Sequence, residues 1–105
     1  MKNNVLLLGG SGTLGKTLIN SKLIKNLKYP TSKVVNILRQ KTIKEYILKN
    51  NIKLIIHFAA LSKVKECEEN KKKAYNINVV GTANVVKAIK NTKNEVKLLF
   101  MSSDA

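Results

Sequence analysis

A glycine-rich turn near the start of the chain constrains the fold more than any other feature. Residues 5–8 form an uncharged apolar run, and Gly9, Gly10, Gly12 and Gly15 follow it directly. An apolar run that breaks into closely spaced glycines is typical of a buried parallel strand that turns into a helix. The free N–H groups at the start of such a helix favour an anion. The pattern therefore predicts a strand–turn–helix unit that can hold a phosphate.

The spacing of these glycines is that of a dinucleotide-binding turn. Gly10, Gly12 and Gly15 satisfy G-x-G-x-x-G, while Gly9, Gly12 and Gly15 are spaced by three. In such a motif one glycine makes the tight turn, one lets the backbone approach a pyrophosphate, and one lets the helix pack closely on the strand. The motif alone has low specificity, but its place directly after an apolar strand supplies the context that it requires.

Length and composition limit the class of protein. The chain has 105 residues, enough for one domain with one core, and its hydrophobic content of 44% predicts a folded globular chain. The apolar runs are too short to span a membrane, and the N-terminal run is no secretory signal because it ends in glycines. A single cysteine, Cys67, excludes an internal disulfide framework. We therefore expect a cytoplasmic protein.

The formal net charge of +14 raises the question of nucleic-acid binding. Lysines scattered through every segment supply nearly all of this charge, and Arg39 is the only arginine. Base readout favours arginine, and single-stranded nucleic acid is bound on exposed aromatic side chains, of which the chain has few. The charge thus indicates a general compositional bias, and basic nucleic-acid binding remains the weaker alternative.

Beyond the glycine turn, the apolar spacing predicts alternating helices and strands. The predicted elements are a helix over 13–26, a helix begun by a capping box at Thr42–Glu45 and ending near 50–51, a strand over 52–60, a polar loop over 62–70, a helix over 71–91 and a strand over 96–101. Between 27 and 39 two assignments stay open. Either Leu27–Tyr29 is the second strand and Val34–Ile37 a third, which we favour, or Val34–Leu38 is the second strand and the sheet has one strand fewer.

Repeated βα alternation with right-handed crossovers predicts an α/β fold. The expected architecture is the N-terminal half of a Rossmann-like, doubly wound parallel sheet with strand order 3-2-1-4-5. Residues 1–105 would form one dinucleotide-binding domain.

Several motifs of the chain match one family. They are the turn at 9–15, the segment at 35–37, the strand end at 55–60, the helix at 74–82 and the strand end at 99–104. With them the chain resembles the extended short-chain dehydrogenase/reductases, and most of all the dTDP-4-dehydrorhamnose reductase group. Two residues depart from that group's pattern: Leu8 replaces a frequent threonine, and Asn36 replaces an aspartate.

The resemblance implies a role for individual residues. At the adenosine and pyrophosphate end it places Gly9, Gly12 and Gly15 against the pyrophosphate with the Thr13 and Leu14 amides nearby, and Asn36 at the adenine edge. At the reacting end it places Ala59 and Ala60 under the nicotinamide ribose, Asn78 at the backbone and water of the active site, and Ser103 as the catalytic-strand hydroxyl that hydrogen-bonds the substrate carbonyl.

The charge near the second strand bears on the choice of cofactor. NAD usually requires an acidic residue there to accept from the ribose hydroxyls, and none lies between Gly15 and Gln40. Thr31, Ser32 and Lys33 instead offer two hydroxyls and a cation, which suit a 2′-phosphate. NADP(H) is therefore favoured over NAD(H).

The family's chemistry needs a tyrosine acid and a lysine four residues later, on a helix beyond strand five, and the chain ends before that point. Tyr29 and Lys33 have the spacing but lie beside strand two, so we interpret them as coincidence. By this resemblance, residues 1–105 would form one NAD(P)-binding domain truncated after strand five, without a substrate domain, and the chain alone is expected to be non-catalytic. It would be the cofactor-binding part of a reductase that passes hydride to a 4-keto nucleotide sugar, or alternatively a non-catalytic nucleotide-binding module, as a homo-oligomer or with a complementing C-terminal half.

His57 and Cys67 are the remaining candidates for chemistry. His57 lies on a predicted buried strand without a partner at metal-ligand spacing, so a structural role is favoured and no metal site is predicted. Cys67 is surrounded by Glu66, Glu68 and Glu69, whose charges disfavour a thiolate.

Overall fold

The computed structural model describes residues 3–9, 12–59 and 68–102, and the side chains at 59, 68–78 and 102 lie outside that description. Four strands and three helices alternate along these residues. They are β1 (Asn4–Leu8), α1 (Thr13–Ser21), β2 (Leu27–Lys28), α2 (Gln40–Lys49), β3 (Ile52–Ala59), α3 (Glu68–Thr92) and β4 (Lys97–Ser102).

The strands form one parallel sheet in the order β2-β1-β3-β4. Val5 of β1 is paired with Leu27 on one side and with Leu54 of β3 on the other. The chain therefore leaves β1 toward one edge of the sheet and later returns to its other side, which confirms the Rossmann-like, doubly wound fold. The carboxyl ends of β1 and its neighbours meet at the point where the strand order reverses, which is where open α/β sheets bind ligands.

The main core lies between the sheet and the helices α2 and α3. Alternate residues of a strand point to opposite faces, so Leu6 and Leu8 share the face that packs on these helices. The buried members of this core are Leu6, Leu8, Val35, Ile43, Ile47, Ile52, Ile55, Val85 and Ala88. Burial of Leu6, Leu8 and Ile55 on one face of the sheet fixes β1 and β3 in register, because a slip of one residue would turn the side chains of the shifted strand to the opposite face.

The predicted third strand at Val34–Ile37 is wrong, as is the alternative of a second strand at Val34–Leu38. The backbone there is irregular and turns instead of pairing with the sheet. The N–H groups of Val34 and Val35 donate to the Thr31 carbonyl at 2.9 and 3.0 Å, and the Asn36 N–H donates to the Thr42 hydroxyl at 3.0 Å. Because local partners take these donors, none is left for a strand ladder. The sheet therefore keeps strand 2, Leu27–Lys28, and lacks strand 3 of the expected order.

Two predicted helix starts and one helix end differ from the structure. α1 ends at Ser21 instead of 26, because Lys22 adopts a left-handed backbone with φ 55° and donates to the Ile19 carbonyl. α2 begins at Gln40, so Thr42 lies inside the helix and is not the N-cap of a capping box. α3 begins at Glu68, which places the last part of the predicted polar loop in the helix.

Candidate functional site

The glycine turn places its first glycine directly against β3. Gly9 has a positive φ of 86°, which side chains rarely tolerate. A Cβ built on Gly9 would overlap the Phe58 carbonyl oxygen and would lie 3.1 Å from the Phe58 Cβ. The fold itself therefore requires glycine at this position, whether or not a ligand binds.

Gly12 is under a different constraint. It is the N-cap of α1 with a φ of −77°, and its N–H donates to the Gly9 carbonyl at 3.3 Å. Among the described atoms, a Cβ on Gly12 would meet only the Gly9 carbonyl oxygen, at an ordinary 3.7 Å. The described residues therefore leave room for a side chain at this position, and their packing does not require glycine here. Gly10 and Ser11 lie outside the described residues.

The rest of the turn continues into the first helix. Thr13 and Leu14 open α1 with exposed side chains, and Gly15 is buried within the same helix. Leu14 also lines an apolar groove of about 390 Å³ between α1 and the strands β3 and β4, together with Phe58, Leu99 and Met101. The predicted roles of Thr13 and Leu14 concern their backbone amides, and an exposed helix start is where such amides face a ligand.

A cavity of about 480 Å³ opens at the carboxyl ends of β1 and β2. It brings together four residues predicted to bind cofactor: Gly9, Thr31, Ser32 and Asn36. The remaining lining residues are Leu8, Ile19, Tyr29, Pro30, Val35 and Ile37. Lys33, on the same turn as Thr31 and Ser32, is exposed and does not line the cavity. Residues from two strand ends, from α1 and from one loop therefore form a single groove, partly polar and partly apolar, beside the glycine turn.

Asn36 is the polar centre of one wall of this cavity. Its Oδ1 accepts a hydrogen bond from the Leu38 N–H at 2.9 Å, which makes a local turn of the kind that aspartate and asparagine both form. The exchange of the family's aspartate for asparagine therefore preserves this turn. With Oδ1 already accepting, a ligand at Asn36 would be met chiefly by the Nδ2 donors.

None of the described residues that line the cavity is acidic. A carboxylate in the lining of the cavity would accept hydrogen bonds from ribose hydroxyls and would repel a 2′-phosphate. The hydroxyls of Thr31 and Ser32, with the Lys33 cation on the same turn, make the rim of the cavity neutral to positive. This distribution is compatible with a phosphorylated ligand.

The residues predicted at the reacting end of the cofactor fall largely outside the description. Ala59 ends β3 and is paired with Ser102 of β4, so the two strands end side by side. Asn78 belongs to α3, but its side chain is not described. Ala60 and Ser103 lie outside the described residues, as does Cys67. Their predicted roles stay predictions.

His57 is a buried residue of the sheet, only 2% exposed. Its ring packs edge-on against Phe100 with centroids 5.5 Å apart, and within the described part of the chain its Nδ1 has no hydrogen-bond partner. Burial lowers the pKa of His57 below the ordinary 6.5, so the ring is neutral. No three His, Cys, Asp or Glu side chains of the described residues lie close enough together to hold a metal ion.

Sequence reasoning missed the apolar lining of the cavity and one residue that supports it. The local patterns predict strand or turn for Tyr29, Pro30 and Ile37, and they do not indicate that these residues line a binding cavity. Asn84, in the middle of α3, donates from Nδ2 to the Ile37 carbonyl at 2.8 Å. Because 47 residues separate Asn84 from Ile37, no local pattern signals this contact.

The whole chain, residues 1–105, matches the model of one protein family, described as the RmlD substrate binding domain. The chain belongs to this family. Among curated proteins it is 30% identical to the UDP-glucose 4-epimerase of Mycoplasma pneumoniae over 125 aligned residues, which cover 99% of this chain and 37% of that protein. The chain thus spans little more than a third of the length of this relative.

Solved structures agree with this assignment. The dTDP-4-dehydrorhamnose reductase of Bacillus anthracis, determined in complex with NADP, superposes with a TM-score of 0.74 at 29% identity, over 93% of this chain and 35% of that one. The UDP-glucose 4-epimerase of Brucella ovis, determined in complex with NAD, superposes with a TM-score of 0.70 at 27% identity, over 94% of this chain and 35% of that one. The predicted resemblance is confirmed.

In the described part of the chain, no helix is both long and apolar enough to cross a membrane.

Proposed function

We propose that this chain is the dinucleotide-binding part of a sugar-nucleotide oxidoreductase, with NADP(H) as its cofactor. One observation carries the proposal: the glycine turn and the cavity at the ends of β1 and β2 are adjacent, and they share Gly9. The turn suits a pyrophosphate and the cavity has the size of a small-ligand site, so one elongated dinucleotide would fill both.

The residues present fit such a cofactor. Among the described atoms a Cβ on Gly12 would meet only the Gly9 carbonyl oxygen, at 3.7 Å, and Gly15 is buried within α1. The pyrophosphate would lie against Gly9, Gly12 and Gly15 with the Thr13 and Leu14 amides, and the adenine would lie by Asn36. Ala59, Ala60 and Asn78 would border the nicotinamide half. When bound, the cofactor supplies or accepts a hydride.

The preference for NADP(H) rests on charge. Thr31 and Ser32 line the cavity with hydroxyls, the exposed Lys33 follows them on the same turn, and no acidic residue lies on the described lining. The similar reductase of Bacillus anthracis was determined with NADP and the similar epimerase of Brucella ovis with NAD, so both cofactors occur among related structures. The rim of this chain favours the phosphorylated one.

The reaction that we propose for the whole protein is reduction of a 4-keto nucleotide sugar, in which Ser103 hydrogen-bonds the carbonyl. Tyr29, which Lys33 follows at the Tyr-x-x-x-Lys spacing, lines the cavity beside the glycine turn, so we do not assign it the role of proton donor. Epimerisation of a nucleotide sugar is the second candidate, since a curated relative at 30% identity is an epimerase. A single cysteine and phosphorylated ligands suit an enzyme of the cytoplasm.

Titration of the purified chain with NADPH and NADH tests the proposal. A ligand that binds only the folded state at one hundred times its Kd stabilises it by about 2.7 kcal/mol, which a thermal-shift measurement resolves. We expect stabilisation by both dinucleotides, with the lower Kd for NADPH. No shift with either at millimolar concentration would contradict cofactor binding.

Two controls separate a built site from general attraction to a chain of charge +14. Tripolyphosphate at two salt concentrations reports charge-driven binding, which screening removes. The variant Gly12→Thr adds bulk at the turn yet keeps an acceptable N-cap, and it should lose dinucleotide binding while its melting temperature stays close to that of the parent. Asn20→Thr, on the exposed face of α1, is the matched substitution that should change neither.

A further inference from the structure

One wall of the cavity is attached to a helix that is distant in sequence. Ile37 lines the cavity, and its carbonyl accepts the hydrogen bond from Asn84 Nδ2 at 2.8 Å. One helical turn earlier, Gly81 is buried against the same residue: a Cβ there would lie 2.5 Å from Ile37 Cδ1 and 3.0 Å from its Cγ1. α3 therefore contacts both the backbone carbonyl and the side chain of Ile37.

These contacts matter because the cavity wall formed by residues 34–37 is not part of the sheet. Val34–Ile37 forms turns, so no strand ladder fixes its position. Within the described residues, its hydrogen-bond links to the helices are Asn36 with Thr42 of α2 and Ile37 with Asn84 of α3. Removal of the Asn84 amide would leave the Ile37 carbonyl without that partner, and the wall would lose one of its two attachments.

We propose that Asn84 and Gly81 are positioning residues of the adenosine half of the cofactor site. They act through Ile37 and hold the wall that carries Asn36. This inference rests on the proposed function, because it assigns the cavity to the adenosine end of a dinucleotide. It also explains a glycine in the middle of a 25-residue helix, where alanine would otherwise be preferred.

The test measures the Kd of 5′-AMP and of NADPH by calorimetry in the full chain. Asn84→Ala removes the donor, Asn84→Asp replaces it by an acceptor of the same shape, and Asn91→Ala is the matched control at an exposed site of α3. We expect Asn84→Ala to raise both Kd values by about threefold to tenfold, the range for one lost hydrogen bond, and Asn84→Asp to raise them further. Asn91→Ala should match the parent.

Titrations are run at a temperature at which circular dichroism shows every variant folded. A merely structural role would lower the melting temperature of Asn84→Ala and leave its Kd values equal to those of Asn91→Ala, and that result would overturn the inference while cofactor binding by the parent stood. Failure of the parent to bind either ligand would overturn the proposed function, and the inference with it.

A second pair of substitutions perturbs the same wall without changing Asn84. It replaces the first test if the Asn84 variants do not fold. Gly81→Ala pushes on Ile37, and Ile37→Val deletes the atom nearest to the added methyl group. We expect Gly81→Ala to weaken 5′-AMP binding and the double variant to bind within about twofold of Ile37→Val alone. Unchanged 5′-AMP binding by folded Gly81→Ala would overturn the proposed part of Gly81.

Discussion

Replacement of Gly9 by alanine tests whether the first glycine serves the fold and not only the ligand. Two costs apply to Gly9→Ala. The backbone at φ 86° disfavours any side chain, by about 1–2 kcal/mol. The new methyl group would also overlap the Phe58 carbonyl oxygen, which belongs to the backbone of β3 and cannot rotate away.

Relief of that overlap requires β1 and β3 to separate locally, and overpacking of this kind costs about 1–3 kcal/mol. We therefore expect Gly9→Ala to lose about 2–5 kcal/mol of unfolding free energy, a large share of the roughly 5–15 kcal/mol that holds a small domain together. Urea unfolding followed by far-ultraviolet circular dichroism measures this loss. With a slope of about 1–3 kcal/mol per molar urea, the midpoint should fall by at least about 0.7 M.

Gly12→Thr is the internal control for the same turn. Its φ of −77° suits any residue, and the nearest described atom to an added Cβ is 3.7 Å away. Its unfolding free energy should stay within about 0.5 kcal/mol of the parent, in line with a surface substitution. If Gly9→Ala were as stable as Gly12→Thr, the argument from close approach to β3 would be refuted.

Two further predictions concern the core and the cavity wall. His57 is the only histidine in the chain, and burial lowers its pKa in the folded state, so the unfolded chain binds a proton at this ring more readily. The stability that this difference contributes is therefore present above pH 6.5 and should fall as the pH is lowered from 7.5 to 5.5. Urea midpoints at the two pH values measure this, and His57→Leu should remove the difference; an equal pH dependence in that variant would refute the assignment. The Thr42 hydroxyl lies 2.7 Å from the Arg39 carbonyl oxygen and accepts from the Asn36 N–H, so Thr42→Val should lose about 1–3 kcal/mol in the same assay. Thr31→Val, at an exposed site, is its matched control, and equal stability of the two variants would contradict the role of Thr42.

Much of the architecture could be predicted from local patterns. The apolar runs that became β1 and β3, and the three- and four-residue spacing in α3, carry their structure in consecutive residues, since burial on both faces or along one stripe leaves a periodic trace. The glycines at 9–15 likewise predict a tight turn from strand to helix. Helix ends were predicted less well. The left-handed Lys22 and the placement of Thr42 inside α2 depend on which hydrogen-bond partner is near, and several residue types allow either choice.

The sequence by itself determined a parallel α/β fold with a turn able to hold a phosphate, because the spacing of apolar residues and glycines acts over short distances along the chain. Only the tertiary structure decided the shape of the groove beside that turn. The composition of Val34–Ile37 predicts a strand. Its backbone instead forms hydrogen bonds with Thr31, Thr42 and Asn84, and these hold it out of the sheet. Asn84 is 47 residues from the carbonyl that it binds, and only the packing of α3 brings the two together.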